Sequence, residues 1–308
     1  MTSFKSRIFN FLIRNAHVLR GQWKKEVMNS ETSIQGFRDR CEKGASRYAK
    51  IPEGVTITPL TIEGLRSEWL TPEGAESGKA ILYMHGGGYV SGSCSDHRGF
   101  VSKFAKNTGV ATLIYEYRLA PEFPFPAAVD DSVKVYRWLL DSGYKPENIV
   151  FAGESAGGGL CLALLLAIKE QKLAMPAAAV AISPWTDLSC SGPSYKTKNK
   201  VSPAPLNSWF VFSKHYAGNT PVNNPLVSPL FGDLEGLPPL LINSGVDDEL
   251  YDDGEQFAQK AAAAGVNVTF TKGTGMVHCY PLMAPMFPEA TEAMNEIVSF
   301  IRKHLNER

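Results

Sequence analysis

Gly153-Glu154-Ser155-Ala156-Gly157 places a hydroxyl between two glycines, after the apolar run Ile149–Ala152 and before the apolar run Leu160–Leu165. A serine on a tight strand-to-helix turn is a nucleophile elbow, which holds its Oγ at the end of a sheet where it can attack a carbonyl carbon. Such a turn needs strained backbone angles at the serine and neighbours without side chains. The helix start also brings backbone N–H groups close to the negative charge that develops on attack. His85-Gly86-Gly87-Gly88 follows a second apolar run, Ala80–Met84, and offers the other half of acyl-transfer chemistry. Side-chain-free residues let backbone N–H groups converge on one oxygen, so Gly87 and Gly88, with the N–H of Ala156, are the expected oxyanion donors. A phosphate-cradling loop is the alternative, but no Walker lysine follows and the G-x-G-x-x-G spacing is not met.

A serine nucleophile needs a base, and the elbow arrangement has the chain order Ser, acid, His. Of the six histidines, only His215, His278 and His304 follow Ser155. His278 lies in Gly275-Met276-Val277-His278-Cys279-Tyr280, beyond the strand candidate Val268–Thr271, and is the expected base. A base must be neutral to take a proton, so activity should fall as pH drops through the ordinary histidine range, ~6.5. His85 is read as a support for the glycine loop, and His97, in Asp96-His97-Arg98, as a structural or capping residue at a helix start. The acid that orients the imidazole should follow the strand Leu240–Asn243, where Asp247 and Asp248 are adjacent. Asp247, two residues past Gly245, is the preferred candidate and Asp248 the alternative. Clustered acids can also bind metal, but no histidine lies near enough in sequence to suggest a mixed site, and none is expected. Cys279 is read as a packed thiol.

These residues must be held by a scaffold. Strand candidates fall at 55–62, 66–70, 79–84, 111–115, 148–152, 178–183, 239–243 and 267–271. Helical stretches at about 96–107, 127–141, 156–170, 251–264 and 286–304 separate most of the later ones. That alternation predicts an α/β fold with a mostly parallel sheet covered on both faces. The first two strands follow each other directly and should form an antiparallel edge. From Thr186 to about Pro229 the rhythm stops, leaving polar and Pro-rich sequence around an aromatic helix with Trp209, Phe210, Phe212 and Tyr216. Long insertions after a strand's carboxyl end sit where ligands bind in open α/β sheets, so an ordered lid is expected here. Tyr89, Trp185, Trp209 and Phe210 are the candidate pocket walls.

Composition narrows the function. The 308 residues carry 31 Lys+Arg and 31 Asp+Glu, and zero net charge argues against nucleic acid as a partner. The five cysteines form no C-x-x-C pair, so a disulfide framework has no support and a cytoplasmic location is expected. Phe4, Ile8, Phe11 and Leu12 recur at helical spacing, among Lys5, Arg7, Arg14 and Arg20, with no acid before Glu26. No signal peptide or membrane span is expected from this stretch. A basic amphipathic helix can lie on a membrane surface; the favoured expectation is that it packs over its own chain.

Together the motifs resemble the hormone-sensitive-lipase family of α/β-hydrolases, in its bacterial branch of small carboxylesterases. The matching blocks are His85-Gly86-Gly87-Gly88-Tyr89, Gly92-Ser93, Tyr117–Glu122, Phe125–Ala128, Ser183–Asp187, Ser228-Pro229-Leu230 and Gly275–His278, spanning about residues 55–305. The resemblance implies an eight-stranded α/β-hydrolase sheet, with a helical cap from residues 1–50 and the 186–229 insertion over a 51–308 hydrolase domain. It implies hydrolysis of short to medium acyl esters with no cofactor, a small-molecule ester as partner, and a homodimer as an open option. The family's Gly-x-Asp-Asp/Glu pattern, met as Gly245-Val246-Asp247-Asp248, supports Asp247. Lactone hydrolase or amidase chemistry would use the same residues, and a non-catalytic ligand-binding protein on this fold is the remaining alternative. Glu154 stands where the family usually has Asp.

Overall fold

Strands β1 (Val55–Ile62), β2 (Leu65–Pro72), β3 (Ala80–Met84), β4 (Thr112–Tyr115), β5 (Ile149–Glu154), β6 (Ala178–Ile182), β7 (Leu240–Gly245) and β8 (Val268–Gly273) share one sheet, in the order β1-β2-β4-β3-β5-β6-β7-β8. The computed structural model describes residues 2–306 apart from 20, 22 and 47–49, so Arg20 of the basic stretch lies outside the described residues. As expected, β1 and β2 are antiparallel; β2 also runs antiparallel to β4, and the pairs from β4 to β8 are parallel.

The helices are α1 (Phe4–Arg14), α2 (Ala16–Leu19), α3 (Ile34–Ser46), α4 (Cys94–Thr108) and α5 (Ala127–Asp141) in the first half. α6 (Ala156–Glu170), α7 (Ser194–Thr197), α8 (Ser208–Ala217), α9 (Tyr251–Ala263) and α10 (Pro288–Asn306) follow. Alternate strand residues feed two cores. Ile81 and Tyr83 of β3 pack with Phe104 of α4 and Ile297 and Ile301 of α10 on one face. Leu82 and Met84 pack on the other face with Leu160 and Leu164 of α6. α6 is buried almost throughout, from Ala156 to Ile168, which explains why its sequence is apolar on every side.

Residues 186–229 contain no strand among those described; α7, α8 and irregular chain fill the interval. A single parallel bridge, Val27 to Leu206, ties it to the amino-terminal segment. α3 is held by Arg38, which donates to Val90 O (2.6 Å) and Ala120 O (2.9 Å) and pairs with Glu122. Glu122 thus pairs near the surface, while Arg118 pairs with the buried Asp131 at 2.7 Å.

α1 packs over its own chain, as expected, but not through its apolar stripe. Its polar stripe faces the protein. Ser6 and Asn10 are its buried residues, and Asn10 Nδ2 donates to Gly275 O at 2.7 Å. Ser3 and Ser6 hydrogen-bond the Glu289 carboxylate, and Arg14 pairs with Asp247 at 2.5 Å. Phe9 adds an aromatic contact with Phe287. The stripe expected to cover the chain, Phe4, Ile8, Phe11 and Leu12, is exposed.

Candidate active site

Ser155 sits between β5 and α6 with φ 59° and ψ −125°, the strained conformation an elbow requires. The turn is tight enough that a Cβ on Gly157 would lie 2.1 Å from Met84 O, so only glycine fits there. The Ser155 N–H donates to Ile182 O (2.9 Å), and its carbonyl accepts from Trp185 N (3.0 Å), fixing the elbow against β6.

The glycine loop is fastened from behind. Gly86 N donates to Glu154 Oε1 at 2.6 Å, which aligns the loop beside the elbow. No acceptor among the described residues takes the N–H groups of Gly87 or Gly88, and Ala156 N opens α6 with the usual unsatisfied first-turn donor. His85 supports the loop as expected: its Nδ1 lies 2.8 Å from Gly86 O and its ring stacks on Tyr117 at 4.2 Å. Burial, with the neighbouring His97, pushes its pKa down to about 4, so the ring is neutral.

Ser93 and Asp96, not His97, cap α4, and His97 makes side-chain contacts instead. Its Nε2 lies 3.0 Å from Glu154 Oε1 and its Nδ1 contacts Asp96. Burial opposes charge on this ring, but the two carboxylates prevail and raise its pKa to about 10. An Asp96–His97–Glu154 chain thus runs from the start of α4 to the residue before the nucleophile, with His97 and Glu154 reaching the wall of the Ser155 cavity.

Of the two candidate acids, the alternative Asp248 and not the preferred Asp247 meets the imidazole. His278 Nδ1 lies 2.7 Å from Asp248 Oδ2, and Asp248 is fully buried. Asp247 instead meets Arg14 (2.5 Å) and Lys198 (3.2 Å) and is partly exposed. The turn after β7 decides this: Asp247 N donates to Met276 O and Asp248 N to Gly245 O, which turns the second carboxylate inward. Burial works against the charged imidazole of His278, yet the Asp248 carboxylate overcomes it and holds the pKa well above the ordinary value. With Nδ1–H donating to Asp248, Nε2 is left as the proton acceptor.

Ser155 and His278 line one cavity of about 330 Å³, together with Gly86, Gly87 and Gly88. No hydrogen bond joins the serine to the imidazole among the described residues, a looseness ordinary for a nucleophile and base without substrate. Of the expected walls, Trp209 lines this cavity and packs edge-on to His278 at 5.6 Å. Phe210 points outward and is half exposed. Tyr89 and Trp185 are buried behind the wall, Tyr89 stacked on Tyr216 at 3.7 Å and Trp185 against Trp209 at 5.1 Å. Phe37, Phe212, Pro203, Ala204, Pro205 and Ser208, with His97 and Glu154, also line it and were not foreseen as walls. Helical period would have found Phe212, since Trp209, Phe212 and Tyr216 share the inner face of α8 and Phe210 falls opposite. Nothing local marks Phe37. Cys279 also lines the cavity, and burial pushes its pKa up, in keeping with a packed thiol.

The chain belongs to the family described as the α/β-hydrolase fold, whose sequence pattern it matches over residues 81–282. Within that family it falls with the bacterial hormone-sensitive-lipase esterases: a solved esterase of that group superposes with a TM-score of 0.90 at 35% identity, covering 99% of this chain and 100% of that one. It is 40% identical to an acetyl-hydrolase of Streptomyces hygroscopicus, over 82% of this chain and 83% of that protein. It is 36% identical to an esterase of Acinetobacter venetianus, over 80% and 82% respectively. A solved esterase whose crystal was soaked with p-nitrophenyl butyrate gives a TM-score of 0.90 at 38% identity, covering 98% of this chain and 99% of that one.

Proposed function

We propose that this carboxylic ester hydrolase works through a serine acyl-enzyme, with Ser155 as nucleophile, His278 as base and Asp248 as the orienting acid. The hydrogen bond from His278 to buried Asp248, at the rim of the cavity that Ser155 lines, is the observation that carries this reading. His278 Nε2 takes the Ser155 proton as Oγ attacks the ester carbonyl. The oxyanion accepts from the N–H groups of Gly87, Gly88 and Ala156. His278⁺, stabilised by Asp248, protonates the leaving alcohol, and water activated by the same imidazole releases the acid.

The cavity is at the small end of the range for ligand sites, and its walls are mainly aromatic and proline side chains, which supports short to medium acyl chains. Residues 1–50 and 186–229 supply Phe37, Pro203–Pro205, Trp209 and Phe212 to it, which supports their reading as a cap over the 51–308 hydrolase domain. All five cysteines are free, which supports a cytoplasmic setting. β8 ends the sheet at an open edge, which supports pairing with a second copy. Among the described residues no helix is long and apolar enough to cross a membrane.

The test is a panel of p-nitrophenyl esters, lactones and anilides run on wild type and Ser155→Ala. Short acyl esters should turn over fastest, and Ser155→Ala should lose nearly all turnover with unchanged circular dichroism. Full activity in that variant would end the reading, and preference for lactones or anilides would move it to those substrates.

A further inference from the structure

α1 is amphipathic with its polarity reversed relative to the protein it packs on. A surface helix ordinarily buries its apolar stripe. Here the serines and Asn10 face inward, each with a specific polar partner, and the apolar stripe faces out: Phe4 is 76% and Phe11 65% exposed, flanked by Ile8 and Leu12. Val18 continues the exposed apolar residues, and Trp23 is 96% exposed. The inward contacts to Gly275, Glu289 and Asp247 fix this orientation, so the exposed stripe is not a helix that has failed to dock.

The charge of the segment identifies the occupant. No acid precedes Glu26, while Lys5, Arg7 and Lys24 are exposed and have no ion-pair partner among the described residues. Aromatic and aliphatic side chains beside lysine and arginine, with an exposed tryptophan, form the composition that settles at the boundary of an anionic bilayer. A second copy is a poorer fit, because a self-paired face would set these cations against their own counterparts.

We infer that the outward face of α1, with Trp23, is an interfacial anchor that docks this protein on anionic lipid surfaces. The segment is pinned beside the catalytic cavity at both ends. α1 bonds to Gly275, in the loop that carries His278, and Met28 N donates to Leu206 O (2.9 Å), next to the cavity-lining Pro203–Pro205. Docking therefore brings the cavity close to the lipid. The anchor does not depend on the proposed chemistry, since it is read from binding alone.

The experiment is co-sedimentation of the full chain with phosphatidylcholine vesicles and with vesicles containing about one-third phosphatidylglycerol, in low and high salt. Wild type should pellet with the anionic vesicles, weakly with the neutral ones, and less in high salt. Phe4→Ser/Ile8→Ser/Phe11→Ser/Leu12→Ser should abolish pelleting while hydrolysing p-nitrophenyl butyrate like wild type. Lys5→Gln/Arg7→Gln, at exposed positions that do not threaten folding, should weaken partitioning by about 30-fold, the effect of two cations near an anionic surface. Wild type that fails to pellet with anionic vesicles, or variants that pellet as wild type does, would overturn the anchor. So would a wild-type dimer, seen by sedimentation velocity, that dissociates in the four-serine variant without any vesicle binding.

Discussion

Two adjacent aspartates give a sharp test, because their side chains differ in everything but position. In Asp248→Asn the volume is conserved and Oδ1 can still accept from Leu250 N, now at 3.0 Å, so the fold should persist. The variant loses the charge that orients His278 Nδ1–H and stabilises the imidazolium. In serine hydrolases that loss costs ~10⁴ in kcat, or about 5.5 kcal/mol of transition-state stabilisation. Asp247→Asn removes two ion pairs between partly exposed side chains, Arg14 and Lys198. Such pairs contribute about 0–1 kcal/mol each, so even if both were felt in full at the transition state kcat/KM should fall by less than about 30-fold. Initial rates with p-nitrophenyl butyrate, with circular dichroism and Tm for both variants, make the comparison. A larger loss in Asp247→Asn than in Asp248→Asn would refute the assignment of the acid and the reading of the turn after β7.

The pH dependence follows from the same pair. His278 must be neutral to accept the Ser155 proton, and Asp248 holds its pKa above the ordinary value. The rate should therefore rise with pH through an inflection above ~6.5, higher than expected from an unperturbed histidine, and an inflection at or below that value in a kcat/KM profile would contradict the buried ion pair. Gly88→Ala tests the oxyanion loop: Gly88 has φ +65°, and an added Cβ would lie 2.4 Å from Phe212 Cδ2. Its kcat should fall by about 10²–10³, the usual effect of one lost donor, with partial recovery in Gly88→Ala/Phe212→Ala; an unaffected rate would remove Gly88 from the oxyanion site.

The scaffold was largely legible in sequence because its strands are short apolar runs and its helices carry turn and cap signals. Ser93 and Asp96 form the capping box that starts α4, and the antiparallel β1–β2 edge follows from the absence of a helix between them. Ser155 and the glycine loop could be nominated for a similar reason, since they lie directly beyond β5 and β3, and His278 follows β8 after a short loop. The choice between Asp247 and Asp248 was not, because both lie in one turn and the hydrogen bonds to Met276 and Gly245 that orient them come from the folded loop. α1 was visible as an amphipathic helix, but its docking face was set by Glu289 and Gly275, more than 260 positions away in the chain. The cavity walls mixed both cases, as Trp209 was found by composition and Phe37 arrives from a separate helix.

Glu154 has a consequence for anyone who would redesign this enzyme. One carboxylate oxygen joins Gly86 to His97, so the shelf formed by the glycine loop and the hinge that carries Ser155 are built on the same strut. Shortening that strut by one methylene, to Asp, would oblige either the shelf or the hinge to move. A transplant of this centre onto a sister scaffold would have to carry Asp96, His97 and Glu154 as a single inherited part, and the visible pocket residues could then be exchanged around it.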